Sequence, residues 1–344
     1  MTTLKRHSAK DRPRERGVVI IYTAFFMLFL LGFVAIGIDV SKLMATRTQL
    51  QRAADAAALA GASGVDVETG IVNQDTALVR AQQTGDLNKA FVKSSTNVTL
   101  LAGDVTFPQP NQVRVVMRRD ANSGGSMVTH VAQVLGINSI AVTATATAQA
   151  ELASGVCEGL IPMAPIEPPN SGWFDPDCSK SYNLKVDPGT GQQGNYQLLQ
   201  YPECHEGTCG DVQGGGGASI RCQTANGYSC CVDIGQEFTV TQPGVKTGPF
   251  VQGLSQRWDL DTDRREGICF NDYVGNGQRV VRMPIVETFD VAGKKVIRIK
   301  AFAAFFLTKK TKGNGEMVGQ FMYDTTPGNP GGTTGTLYTI RLVQ

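Results

Sequence analysis

Residues 18–38 read VVIIYTAFFMLFLLGFVAIGI, 21 residues without a charge. An α-helix rises about 1.5 Å per residue, so this run is long enough to cross a hydrocarbon core of about 30 Å. Lys5, Arg6, Lys10, Arg12, Arg14 and Arg16 precede it, against two acids, Asp11 and Glu15, and Asp39 ends it. Positive flanks stay in the cytoplasm. The pattern predicts one transmembrane helix with its span ends at Val18 and Ile38, the N-terminus inside, and the chain from Asp39 onward outside.

Two other readings of the run fit less well. A secretory signal has an apolar region of about 7–15 residues and a small-residue cleavage site close behind. Here the run is longer, and IDVSKLMATRTQL follows it with no Ala-x-Ala at the membrane edge. A pilin-like leader would be cut after a Gly at the start of the apolar run, and Gly17 stands there. Such leaders carry a Glu five residues after the cut, where this chain has Tyr22. An uncleaved anchor is expected.

Charge and cysteines divide the chain the same way. Of 32 basic and 30 acidic residues the first sixteen hold 6 and 2, leaving 26 against 28 in the remainder. Nothing there forms a basic patch with interleaved aromatics, so no nucleic-acid partner is expected. All eight cysteines (Cys157, Cys178, Cys204, Cys209, Cys222, Cys230, Cys231 and Cys269) follow residue 156. In an exported domain an even, clustered set reads as disulfides, with on the order of a hundred possible pairings. Zinc is the alternative, because Cys204, His205 and Cys209 lie together near Cys222 and Cys230–Cys231. Structural zinc sites favour two matched C-x₂₋₄-C pairs, and no clean second pair exists here.

The expected fold class is α+β: a single transmembrane helix extended into an Ala-rich helix, a small α+β module, then a disulfide-rich, mainly β domain. Residues 1–16 form a cytoplasmic basic tail and 17–40 the transmembrane helix. The helix and α+β module occupy 41–150, a Cys/Gly/Pro-rich, loop-rich segment 151–235, and the mainly β domain 236–344. Beyond the membrane, SKLMATRTQLQRAADAAALAGAS has no Pro and no Gly before Gly61. Leu43, Leu50, Ala54, Ala57 and Gly61 fall on one stripe of a 3.6-residue wheel, while Ala45, Gln49 and Arg52 face away. Ala53-xxx-Ala57-xxx-Gly61 is a small-xxx-small spacing that admits a second backbone closely, either the protein's own or a partner's.

Within the module, residues 71–90 read as mainly helical and Gln112–Arg118 as a half-buried strand with Val113, Val115 and Met117 on one side. Ser126 reads as the N-cap of a helix MVTHVAQVL, with Gly136 just past its end. Ile140, Val142 and Ala144 alternate with Ala141, Thr143 and Thr145 as a strand does. From Cys157 helical periodicity vanishes. Pro162, Pro165, Pro168, Pro169 and Pro176 crowd the entry, and glycine becomes frequent through Gly214–Gly217. Strand-like runs recur at 196–200, 237–241, 279–289, 295–307, 317–323 and 336–343, separated by Gly/Asn turns, as in a sandwich or barrel.

Catalytic patterns are thin. Three histidines (His7, His130, His205) are present, and no G-x-S-x-G elbow or phosphate-binding loop accompanies them. Asp259-Leu-Asp261-Thr-Asp263 has the spacing of a calcium loop, but Arg264 occupies the position that needs Gly. It reads as a solvated acidic turn balanced by Arg264 and Arg265. No catalytic, cofactor-binding or metal residue is expected, and no small-molecule substrate.

Gly17, the apolar run closing on Asp39, and Leu50-Gln51-Arg52-Ala53-Ala54-Asp55-Ala56-Ala57-Ala58-Leu59-Ala60-Gly61 together resemble the TadE/TadG-like family. Its members are associated with assembly of Flp pili by the bacterial Tad secretion apparatus. The close likeness spans about 50 residues and continues more weakly through VTATATAQA at 142–150. PGVKTGPFVQGLSQR at 243–257 and KAFAAFFL at 300–307 are also similar to family segments. The resemblance implies a non-enzymatic, pilin-like or accessory protein of the inner membrane facing the periplasm. Its partners would be the lipid bilayer and other assembly or secretion proteins, with no cofactor. A membrane-tethered extracytoplasmic adhesin or ligand-binding protein is the alternative.

Overall fold

The computed structural model describes residues 15–87, 98–129, 131–166, 176–186, 195–212, 216–240, 243–286 and 296–343. The basic tail as far as residue 14, His130, Pro168, Pro169 and the 287–289 end of one expected strand lie outside the described residues.

The apolar run and the Ala-rich run form one helix, α1, Glu15–Ala62. After a turn comes α2, Gln74–Asp86, capped by Asn73, whose side-chain oxygen accepts the Thr76 N–H at 3.0 Å. The strands β1 (Val105–Thr106), β2 (Gln112–Arg119), β3 (Met127–Val128), β4 (Ser139–Ile140) and β5 (Val142–Val156) follow. Val113, Val115 and Met117 of β2 are buried, as are Val142, Ala144, Ala146, Ala148 and Ala150 of β5, while Thr143 and Thr145 are exposed. Period-two alternation therefore gives the sheet one apolar face. On β5 that face is nearly all alanine, so the Ala-rich side of α1 lies close against it, with α2 on the helix's flank.

The second half contains β6 (Met163–Pro165), β7 (Tyr182–Val186), β8 (Asn195–Gln200), α3 (Gly217–Asn226), β9 (Val232–Asp233), β10 (Glu237–Val240) and α4 (Pro243–Leu260). It continues with β11 (Val280–Val286), β12 (Val296–Leu307), β13 (Met317–Met322), β14 (Asp324–Thr325), β15 (Gly328–Pro330) and β16 (Leu337–Val343). Strands β10, β12, β13, β7 and β8 pair in that order, and β8 pairs back to β10, so the ring closes. β11 runs antiparallel to β12 beside this ring. β12 is buried on both faces from Ala301 to Leu307, which is why AFAAFFL reads as a continuous apolar run.

β16 returns to the first sheet. It pairs antiparallel with β5, Tyr338 opposite Leu152 and Val343 opposite Thr147. The far end of β5 also pairs with β9 and β15. The boundary expected at residue 150 thus falls inside one continuous strand, and the last strand of the second half completes the sheet of the first.

Two local expectations are corrected. The described residues of 126–135 do not form one α-helix. Met127–Val128 is the first arm of the β3–β4 hairpin, which returns at Ser139–Ile140 and carries one 3-10 turn, Ala132–Leu135, between its arms. Thr129 donates its backbone N–H to the Asn138 carbonyl at 3.2 Å and its hydroxyl to the Ile137 carbonyl, cross-linking the two arms. Gly136 does close that turn, at φ +84°. Helical structure also persists beyond Cys157, in α3 and α4, which pack on each other. In α4, Phe250, Leu254 and Trp258 recur every four residues and are buried, which is the helical signal hidden among Pro243, Gly248, Pro249 and Gly253.

Candidate functional site: the long helix, its seat and the stapled core

At about 1.5 Å per residue the 48 residues of α1 extend about 72 Å. Val19, Tyr22, Phe25, Phe29, Val34 and Ile38 are all exposed, on every side of the helix. An apolar sleeve of this size far exceeds the few hundred Å² that soluble proteins leave in water. Among the described residues α1 is the one helix long and apolar enough to cross a membrane. Gly17 and Val18 lie in its first turns, and Ile38 is 50% exposed.

Burial begins abruptly at Thr46 and continues at Leu50, Ala53, Ala54, Ala57, Ala58, Gly61 and Ala62. The stretch from Val19 to Ala45, largely exposed with Asp39, Leu43 and Ala45 half-buried at its end, is about 40 Å long, the thickness of a bilayer with its headgroups. The folded body is therefore seated where a membrane would end.

Of the residues singled out in sequence, Leu50, Ala53, Ala54 and Ala57 are buried under the module. A methyl group at Gly61 would meet Val113 Cγ1 at 2.9 Å and Ala81 Cβ at 3.4 Å. The small-residue stripe thus serves packing within the chain. Ala56, Leu59 and Ala60 are half-buried beside it. Gln51 Nε2 donates to Asp55 Oδ1 at 2.8 Å and to the Thr145 carbonyl at 3.1 Å, joining the outer side of α1 to β5. Ala57→Leu overpacks this seam and is expected to lose about 1–3 kcal/mol of stability in the full-length chain, read by urea denaturation in detergent. An unchanged midpoint would show that the seam is looser than the contacts imply.

Asp39 does more than end the apolar run. Its Oδ2 accepts the backbone N–H of Val131 at 2.8 Å and of Ala132 at 3.2 Å, holding the β3–β4 tip against α1. Sequence reading missed this bond because the partners are separated by more than ninety positions. The available signal was an acid placed directly after an apolar run.

The eight cysteines form four disulfides: Cys157–Cys231, Cys178–Cys269, Cys204–Cys230 and Cys209–Cys222. The adjacent Cys230 and Cys231 serve different bridges, so three separate segments converge at one point. No thiol is left over for the zinc alternative.

The acidic turn is not solvated as expected. Asp259 is exposed, but Asp261 and Asp263 are buried. Asp261 accepts the Tyr273 hydroxyl and the Arg279 backbone N–H. Asp263 pairs with Arg265 through two bonds of 2.8 and 2.7 Å, and that guanidinium holds its carboxyl well below the usual range. Arg279 is fully buried, with its guanidinium 4.3 Å from the Trp258 ring centre and 4.5 Å from that of Phe306. Burial, together with the bond to Asp261, pushes the Tyr273 hydroxyl up to about 12. The folded state thus prefers neutral Tyr273. Its contribution to stability is whole below about pH 10, the ordinary tyrosine value, and declines as pH rises toward 12. Urea titrations at rising alkaline pH should show the midpoint falling from pH 10 upward. A flat profile there would mean Tyr273 ionises freely in the fold.

These features define a protein with one candidate membrane helix continuous with a folded body, mixed helix and sheet in composition and stapled by four disulfides in its mostly β part. Residues 17–64 match the Tad family model, "Putative Flp pilus-assembly TadE/G-like". The matched segment coincides with α1 and the turn after it. No curated protein and no solved structure matches the chain.

Proposed function

We propose that this chain is a non-enzymatic component of Flp pilus assembly, anchored in the bacterial inner membrane by α1, with its N-terminus cytoplasmic and its folded body in the periplasm. The observation that carries the reading is the coincidence of the Tad match with one unbroken helix, lipid-like in its first half and packed in its second. The orientation rests on the six basic residues before the span. Four disulfides favour an oxidising compartment for the body, because the bacterial cytosol keeps thiols reduced. The non-enzymatic part rests on the buried Asp261, Asp263 and Arg279 and the half-buried Tyr273 being committed to one another.

Deletion of the gene from a piliated host should abolish Flp pili, and the full chain, but not one lacking residues 17–64, should restore them. Normal piliation in the deletion strain would overturn the assembly role. A reporter active only in the periplasm should work when fused after Val65 and after Gln344. Activity of a cytoplasm-only reporter at either point would reverse the orientation.

A further inference from the structure

The β3–β4 hairpin roots in the packed module through Met127, which is buried in its core, and beyond that root it is tied to the membrane end of α1. Its base lies at Thr46, whose hydroxyl contacts the Met127 sulfur at 3.6 Å in a buried setting. Its tip lies at Asp39, which holds the Val131 and Ala132 N–H groups. From Thr46 back to Asp39 is about 10 Å of helix, and the hairpin spans that distance between its contacts at Met127 and Val131. The hairpin therefore runs down α1, away from the module, and its tip reaches the first residue beyond the apolar span.

The chemistry of the hairpin suits that depth. Residues 121–150 contain no Asp, Glu, Lys or Arg, a run of thirty that no other part of the chain beyond the span equals. Val128 is 56% exposed and Ile137 48% exposed, and nearby on α1 Val40 and Met44 are exposed as well. Isolated exposed apolar residues elsewhere, such as Val79 and Leu260, carry no such meaning. Here exposure, absence of charge and continuity with the apolar sleeve of α1 coincide.

We propose that the β3–β4 hairpin is a second membrane contact, its tip lying in the headgroup–acyl boundary beside α1 and its occupant being lipid. Apolar side chains on an uncharged element at this depth enter the interface without crossing it. Asp39 sets the depth: its carboxylate occupies the tip's backbone donors, which would otherwise be unpaired as water is excluded. The proposal rests on the membrane reading of α1.

The test uses the full chain in nanodiscs of phosphatidylethanolamine and phosphatidylglycerol, with acyl chains brominated near the carbonyl. Ile137→Trp and, as a second probe, Val128→Trp report on the hairpin. Phe25→Trp reports on the span. Val274→Trp is the remote control, because nearby Asn271 bonds Glu68, beyond the far end of α1. With the parent signal from Trp173 and Trp258 subtracted, bromine should quench both hairpin probes severalfold more strongly than Val274→Trp. Adding Asp39→Ala should reduce that quenching. If the hairpin probes behave like Val274→Trp while Phe25→Trp is quenched, the span stands and the hairpin proposal falls. It falls equally if a co-purified protein, and not lipid, shields them. If Phe25→Trp also escapes quenching, α1 is not in lipid and both readings fall.

Discussion

Reduction of the four disulfides is expected to unfold the region between Cys157 and Cys269 under conditions where the oxidised chain is native. A bridge acts mainly by restricting the unfolded chain, and the effect grows with the loop it closes, from about 3 kcal/mol for a short loop to nearly 5 for a long one. Cys178–Cys269 closes a separation of 91 residues and Cys209–Cys222 one of 13. Replacing both members of the first pair by serine should therefore cost about 4.6 kcal/mol, and of the second about 3. Gln320 adds to the first pair locally, since its buried side chain accepts the Phe270 N–H at 3.2 Å and donates to the Cys178 carbonyl at 2.8 Å. Because Cys230 and Cys231 are neighbours, the four losses will not add. Even so, the combined loss is comparable with the whole stability of about 5–15 kcal/mol usual for a domain, whereas the loss of any one bridge is not. Urea denaturation followed by Trp258 fluorescence, with and without reductant, reads both effects. Equal midpoints would discard the assignment of stability to the bridges, and a larger loss at Cys209–Cys222 would discard the loop-length ranking.

Arg279→Ala is expected to be the most damaging single substitution in the second half, at about 3–5 kcal/mol. The wild-type guanidinium donates to the carbonyls of Leu307 at 2.8 Å, and of Asp263 and Arg265 at 2.9 Å each. It also fills the space between Trp258 and Phe306. Truncation leaves a cavity, three carbonyls short of a donor, and Asp261 without the nearby cation that offsets it, while Asp263 keeps its pair with Arg265. Arg279→Lys should recover little, because an ammonium cannot reach three carbonyls from one plane while stacking on an indole. Arg279→Met separates the contributions: it restores much of the volume and none of the hydrogen bonds, and should lie between parent and alanine. Should Arg279→Ala unfold at the parent's urea midpoint, the buried cation contributes nothing to stability.

Sequence alone made the helix α1 legible because its evidence is local. Twenty-one uncharged residues, a basic flank and an alanine stripe each follow from neighbouring positions. The strands β11, β12, β13 and β16 were legible for the same reason, as alternating or continuously apolar runs between Gly/Asn turns. What escaped notice depends on distant residues. MVTHVAQVL has helical spacing, yet its backbone donors at Val131 and Ala132 are taken by Asp39, and its arms pair with each other. α4 was hidden by its prolines and glycines, although Phe250, Leu254 and Trp258 carry the period. The cysteine count pointed to bridges, but pairing Cys178 with Cys269 needs the closed strand ring that brings them together. Nothing near Leu337–Val343 announces that this strand completes a sheet begun at Val105. Likewise, the burial of Asp261 and Asp263 follows from Tyr273, Arg265 and Arg279, not from the acidic run itself.

The unbroken course of α1 from the apolar sleeve into the packed seam couples two quantities that a flexible linker would leave separate. Each residue of helix turns the chain by about 100° and advances it by about 1.5 Å. One residue gained between Asp39 and Thr46 would swing the folded body through more than a quarter-turn while scarcely changing its height above the bilayer. Seven residues gained would bring it back to nearly the same bearing, but about 10 Å further out. Bearing and height are thus both written in a single residue count, and, in the proposed membrane setting, neighbours standing beside this helix would meet a fixed face of the body at a fixed level.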